Sequence, residues 1–142
     1  VMDMTRGALR WTETFYPGAY HVDNLFYLTV IGEAIRGVQQ DRQSPRNAGS
    51  FAYDSYRGVC GDGATTGDGV VPLCAGHLEG ATQLTLPGVL HRINAPAAWY
   101  GSEPVIDQWH DPMLKELQKW RRQRFRERSQ KYLKSAVRGL IP

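Results

Sequence analysis

Gly67-Asp68-Gly69-Val70-Val71-Pro72, followed by Thr82-Gln83-Leu84-Thr85-Leu86-Pro87-Gly88-Val89-Leu90-His91, is the stretch whose reading decides the fold. Residues 82–86 alternate polar and apolar side chains, which predicts a strand, and Pro87-Gly88 ends it. Asp68 lies in a glycine-bounded loop before that strand, and His91 comes 23 residues later, just after it. Upstream, Leu25-Phe26-Tyr27-Leu28-Thr29-Val30-Ile31 is a near-continuous apolar run bounded by Asp23-Asn24 and Gly32. Such a run predicts a strand buried on both faces, as in a parallel sheet covered by helices, and so an α/β fold. Neighbouring strands stand about 5 Å apart. Side chains leaving their carboxyl ends can therefore meet at the edge where α/β sheets place their sites. An Asp bonded to one imidazole nitrogen would fix the histidine tautomer and leave the other nitrogen to act as base. Asp68 and His91 are the candidate catalytic residues.

The remaining elements follow from punctuation and periodicity. Residues 1–16 predict a helix that stops near Pro17-Gly18. Residues 37–50 are polar and aperiodic and predict a loop. A short helix is expected from Phe51 to Tyr56, and another from Pro72 to Gly80 with the proline at its first position. Cys60 to Gly69 holds four glycines in ten residues, so its backbone needs unusual angles or close approach. Residues 92–102 form a loop around Pro96 and Trp99-Tyr100. Glu103 to Trp109 begins a helix, and Asp111-Pro112 supplies an N-cap and N1 proline for a long second one to about Val137. Its apolar positions, Met113, Leu117 and Trp120, then Phe125, Tyr132, Leu133, Ala136, Val137 and Leu140, follow helical spacing.

Composition limits the function classes. The chain has 142 residues, 42% hydrophobic and 22% charged, which is ordinary for one globular domain and excludes wholesale disorder. No apolar run reaches the roughly 20 residues that span a bilayer. Two cysteines are too few for a disulfide scaffold or a four-cysteine zinc site, and Cys60 and Cys74 are left open between a pair and two thiols. No signal peptide is visible, and a chain opening on Val1 implies a natural N-terminus further upstream. The formal charge of +3 conceals a division. Residues 115–142 carry ten Lys and Arg against Glu116 and Glu127, a net +8, while the other 114 residues net −5. The expected organisation is a body over residues 1–112 and a basic amphipathic helical extension over 113–142.

The Gly-Asp-Gly-Val-Val-Pro loop, Ala75-Gly76-His77-Leu78-Glu79-Gly80-Ala81, Gly88-Val89-Leu90-His91 and Trp99-Tyr100-Gly101-Ser102 resemble the C-terminal third of an α/β-hydrolase. The nearest type is the lipase-like hydrolases of plants, algae and cyanobacteria. The loop is also similar to that of lecithin–cholesterol acyltransferase relatives. The resemblance covers roughly residues 1–112. It implies the last two parallel strands of a hydrolase sheet with covering helices, with Asp68 as triad acid and His91 as base, in the family's chain order. It implies a lipid-like ester as substrate, no cofactor and no metal, and a plastid or other intracellular location.

The Gly-x-Ser-x-Gly nucleophile elbow of that family is missing from these residues. Ser44, Ser50, Ser55, Ser102, Ser129 and Ser135 all lack the flanking glycines. The expected function is thus a partial serine hydrolase whose nucleophile lies outside this chain, inactive by itself. The alternative is an inactive hydrolase-derived accessory subunit that docks through its basic helix on a membrane-associated or acidic assembly. Two parallel strands make a marginal sheet with an open edge. Either the N-terminal part of a hydrolase or a protein partner is expected to cover it. For the helix, a solvated face competes with an anionic membrane surface, an acidic protein or nucleic acid.

Simpler explanations stand beside these. Asp68 between glycines also fits a plain turn residue, and Asp62 has the same surroundings and is the second choice for the acid. Gly61, Gly63 and Gly67 could cradle a phosphate, but they neither follow a strand nor open a helix. His21, His77 and His110 have no metal-ligand spacing, so surface or capping roles are expected. Trp99 and Tyr100 either anchor the loop behind His91 or wall an acyl pocket.

Overall fold

The computed structural model describes residues 2–20, 24–41, 43–92, 95 and 97–138. Contacts divide the chain into two units, Val1–Trp109 and His110–Pro142. The first begins with helix α1 (Met2–Phe15) and a 3₁₀ turn at Gly18–Tyr20. Strands β1 (Leu28–Glu33) and β2 (Ile35–Arg36) follow, then helix α2 (Ala48–Cys60) and strand β3 (Thr66–Gly67). A single turn, α3 (Leu73–Gly76), leads to strand β4 (Thr82–Pro87) and helix α4 (Glu103–Arg138).

The architecture is mixed α/β. β1 and β4 pair in parallel from Leu28 opposite Thr82 to Glu33 opposite Pro87. β1 starts three residues later than the apolar run suggests and ends two residues further on. Only Ile31 and Gly32 of it are buried, so the strand is less covered than a continuous apolar run implies. A second sheet, antiparallel and two-stranded, joins Ile35 to Gly67 and Arg36 to Thr66. Sequence patterning does not reveal it, because two-residue strands carry no period.

The parallel sheet is held by close approaches. His77 spans the parallel pair, its ring nitrogens hydrogen-bonding Thr29 at 3.1 Å and Thr85 at 3.0 Å. Gly76 lets α3 close onto β1, since a Cβ there would meet the Ile31 side chain at 2.5 Å. A core of Leu86, Val89 and Val105, with Val30, Tyr100 and Trp109 against it, lies beside β4.

α2 begins three residues before Phe51 and ends four after Tyr56. Asn47 starts it with a capping box, accepting from the Ser50 amide at 2.9 Å while Ser50 Oγ accepts from the Asn47 amide at 3.0 Å. Gly61, left-handed at φ 90°, ends it. The expected helix over 72–80 contracts to α3, with Pro72 at its N-cap rather than its first helical position.

α4 is one continuous helix rather than two, and Pro112 lies inside it. The flanking residues favour helix strongly enough to absorb the lost N–H, so Asp111-Pro112 starts nothing. Within the second unit, Phe125, Tyr132 and Leu133 are 73%, 76% and 67% exposed. The Val137 side chain and Leu140 lie outside the described residues, as do His21 and Pro96. No helix among the described residues is long and apolar enough to cross a membrane.

Candidate active site

Asp68 and His91 are brought together where β1, β3 and β4 end. The loop after β3 folds back on itself, as Gly67 bridges Pro72 and the Asp68 amide donates to the Val71 carbonyl at 3.1 Å. This closure needs Gly67, because a Cβ there would stand 2.0 Å from the Val71 oxygen. Gly69 takes φ 98°, a conformation that favours glycine, and its amide donates to the Tyr56 hydroxyl at 2.8 Å. The same hydroxyl donates to the Ile35 carbonyl at 2.9 Å, so fully buried Tyr56 ties the loop to β2. Ser55 adds a bond from its hydroxyl to the Val70 carbonyl at 2.7 Å.

The Asp68 carboxylate is 2% exposed as a residue, and each oxygen has two partners. Oδ1 accepts from the amides of Val70 at 3.0 Å and Val71 at 2.7 Å. Oδ2 meets His91 Nδ1 at 2.9 Å and accepts from the Tyr100 hydroxyl at 2.7 Å. Burial works against the charged form. The hydrogen bonds from Tyr100, Val71, His91 and Val70 outweigh it and hold the carboxyl below its ordinary value. Asp68 is therefore a carboxylate at neutral pH, and the natural tautomer of His91 carries its proton on Nδ1.

His91 is placed through its backbone as well, its amide donating to the Asp68 carbonyl at 3.0 Å. Its side chain is 46% exposed, against 1% for that of Asp68. With Nδ1 turned to the acid, Nε2 is the nitrogen left for a reacting group. Both residues line a cavity of about 300 Å³ whose apolar walls include Ile35, Phe51, Val70 and Leu90. A larger hollow, about 540 Å³ over Gln39, Asp41 and Asp54, includes neither of them.

The other candidates separate cleanly. Asp62 accepts from the Ala64 amide at 2.9 Å, an ordinary Asx turn, so it is not the partner of His91. His77 bridges two threonines, and His110 lies 3.5 Å from Asp111. Cys60 and Cys74 are exposed thiols, not a disulfide. No cluster of three metal-ligating side chains occurs among the described residues.

Two tyrosines contact the Asp68 loop through their hydroxyls: Tyr100, expected behind His91 or on the wall of an acyl pocket but not as a partner of the acid, and Tyr56, which sequence reasoning did not place. Tyr100 accepts from the Gly32 amide at 2.8 Å while donating to Asp68, and its ring stands edge-on to His91 with centroids 6.5 Å apart. Burial and the bond to Asp68 push its phenol well above the usual value, so it stays protonated. Tyr56 is likewise raised by burial, against the opposing effect of the Gly69 amide. The hint for Tyr100 was its place in the loop behind His91, which the structure fastens by a bridge between Leu90 and Trp99. Tyr56 carried none, because helical periodicity cannot tell a core tyrosine from one that supports a loop.

Comparison with protein-family models, with curated proteins and with solved structures finds no significant match to the chain.

Proposed function

We propose that this chain supplies the acid and the histidine of a serine ester hydrolase, with the nucleophilic serine outside residues 1–142. The observation that carries the reading is the 2.9 Å contact between a buried, four-times hydrogen-bonded carboxylate and a half-exposed imidazole bordering a cavity. In the proposed reaction, His91 Nε2 takes the proton of the serine hydroxyl as its oxygen attacks the ester carbonyl. Asp68 holds the ring and stabilises the imidazolium, which then protonates the leaving alkoxide. Water then attacks the acyl-serine carbonyl as the same nitrogen takes its proton, and the imidazolium returns that proton to the serine oxygen as the acyl–oxygen bond breaks and the acid leaves. The apolar wall of the cavity favours an ester with an apolar chain, in keeping with a lipid-like substrate. The missing hydrolase segment, or a protein partner, would cover the outer edges of the β1–β4 pair, which no strand covers among the described residues.

The test is p-nitrophenyl ester hydrolysis by the complete reading frame, or by this chain with its partner, and by its His91→Ala variant. A loss of at least about 10³-fold is expected from removing the base. Unchanged turnover overturns the assignment.

A second reading has its own observation in the second unit. Phe125 and Tyr132 are seven residues apart on one side of α4, and Arg121 and Arg128, also seven apart, flank them. Glu116 and Glu127 fall on the opposite side by helical spacing. Aromatic residues this exposed, on a face with arginines and no carboxylate, suit docking onto an anionic membrane surface or an acidic protein. In this reading the chain is a hydrolase-derived accessory subunit. Deleting residues 113–142 should abolish its association. Unchanged co-purification and location after that deletion eliminate it.

A further inference from the structure

Among the groups around Asp68, Tyr100 has a geometry that turn formation and packing do not account for. A phenol has one hydrogen. The Gly32 amide donates to the Tyr100 oxygen at 2.8 Å, so the phenol hydrogen is directed at Asp68 Oδ2, 2.7 Å away. That is the same oxygen that faces His91 Nδ1. Loop amides occupy the other oxygen, so Tyr100 is the side chain that shares the acid with the base.

We propose that Tyr100 is a positioning residue for the Asp68–His91 pair: its hydroxyl fixes the direction of Oδ2 and tempers the pull of the carboxylate on the imidazolium. This rests on the reading of Asp68 and His91 as acid and base. A strong donor on Oδ2 withdraws charge from the oxygen that would otherwise be given to His91. Removing it leaves a more basic carboxylate, which favours the protonated ring. The hydroxyl also connects the pair to the end of β1 through Gly32, so strand and acid move together. Tyr100 itself touches no reacting atom.

Among the described residues, the charged and titratable groups around His91 are Asp68 from the loop after β3, the Tyr100 phenol, and Arg46 from the segment before α2 and Arg92 next in sequence, which line the same cavity. Both arginines line the cavity with His91 and are retained in every variant below, so they act equally in each.

The test is an NMR titration of the His91 ring in the whole chain, which needs no turnover. Tyr100→Phe should raise the titration midpoint by about half a unit or more, the sign expected when a donor to the partner carboxylate is lost. Tyr56→Phe is the control. Its hydroxyl supports the same loop through Gly69 and Ile35 and does not contact the carboxylate, so it should lower stability and leave the midpoint in place. If Tyr100→Phe does not fold, 3-fluorotyrosine at position 100 replaces it. A more acidic phenol donates more strongly, and the midpoint should fall. A midpoint unmoved by either change at Tyr100, or moved equally by Tyr56→Phe, overturns the proposal. Esterase activity that survives His91→Ala would instead remove the hydrolase reading, a separate result from a separate measurement.

Discussion

Gly32→Ala is the substitution that most directly tests how the fold positions the site. An added Cβ would stand 2.0 Å from the Val89 carbonyl oxygen, 2.8 Å from its carbon and 3.1 Å from Asp68 Cβ. Non-bonded carbon contacts settle at about 3.5–4.0 Å, so the Val89 peptide has to retreat by more than about 1 Å. It is poorly able to do so. The Gly88 amide donates to the Glu33 carbonyl at 2.8 Å, the Leu90 amide to Ala98 at 2.6 Å, and the His91 amide to Asp68 at 3.0 Å. The Val89 side chain is buried in the core with Leu86 and Val105. Overpacking costs about 1–3 kcal/mol, and a backbone pinned on both sides puts this case near 3 kcal/mol. At about 3–4 °C per kcal/mol for a chain of this size, the melting temperature should fall by roughly 10 °C. Displacing Val89 also moves His91 away from Asp68, so the NMR signals of the His91 ring should change. Gly88→Ala provides the contrast. It meets no atom within 4 Å, and at φ 75° it adds backbone strain only, about 1–2 kcal/mol. Thermal denaturation followed by circular dichroism, with histidine spectra of both variants, makes the comparison. A Gly32→Ala protein that melts within about 2 °C of the parent, with His91 unchanged, would refute the claim that this contact sets the site.

Other outcomes follow from single contacts. Asp68 has a folded-state pKa below its ordinary 3.8, so the stability it contributes is complete well above that value and lost as pH falls through the lower one. Asp68→Asn should therefore remove part of the acid limb of a stability–pH curve below pH 3.8, measured by urea denaturation. Tyr56→Phe leaves the Gly69 amide and the Ile35 carbonyl short of a buried partner, a loss of about 1–3 kcal/mol in the same denaturation assay. Gly7→Ala lies in helix α1 with nothing within 4 Å of the new Cβ, and should raise stability by about 0.5–1 kcal/mol.

What could be read in the sequence was whatever rests on local pattern. Alternation at 82–86 and the apolar run at 25–31 located the two strands and their parallel relation, with a three-residue error at the start of β1. The proximity of Asp68 and His91 was legible because glycines and prolines fix where loops begin, and parallel strands bring their carboxyl ends together. α2 was read too short because its start depends on Asn47 and Ser50, and Ser is not the Glu or Gln that usually marks a capping box. Pro112 was overread, since proline ends a helix only when its neighbours do not sustain it. The bond of Tyr100 to Asp68 and the whole role of Tyr56 escaped because the hydroxyls' partners are 32 and 13 residues away in the chain, and their meeting depends on tertiary closure.

The weightiest competing account of Asp68 is that it merely forms a turn, and the distribution of its bonds bears on that account. A turn-forming Asp needs one oxygen, and Oδ1, accepting from Val70 and Val71, meets that need completely. Such a residue has no reason to be buried, because desolvating a carboxylate is costly and an exposed Asp or Asn would close the same loop. Oδ2 is directed instead at two side chains far along the chain, one of them an imidazole that keeps 46% of its surface exposed. A buried acid behind a half-exposed base is the arrangement a proton-transfer pair requires, because the acid must be kept from water while the base reaches a substrate. The cost of burying Asp68 is thus offset by bonds that a turn does not need, and those bonds lead to His91.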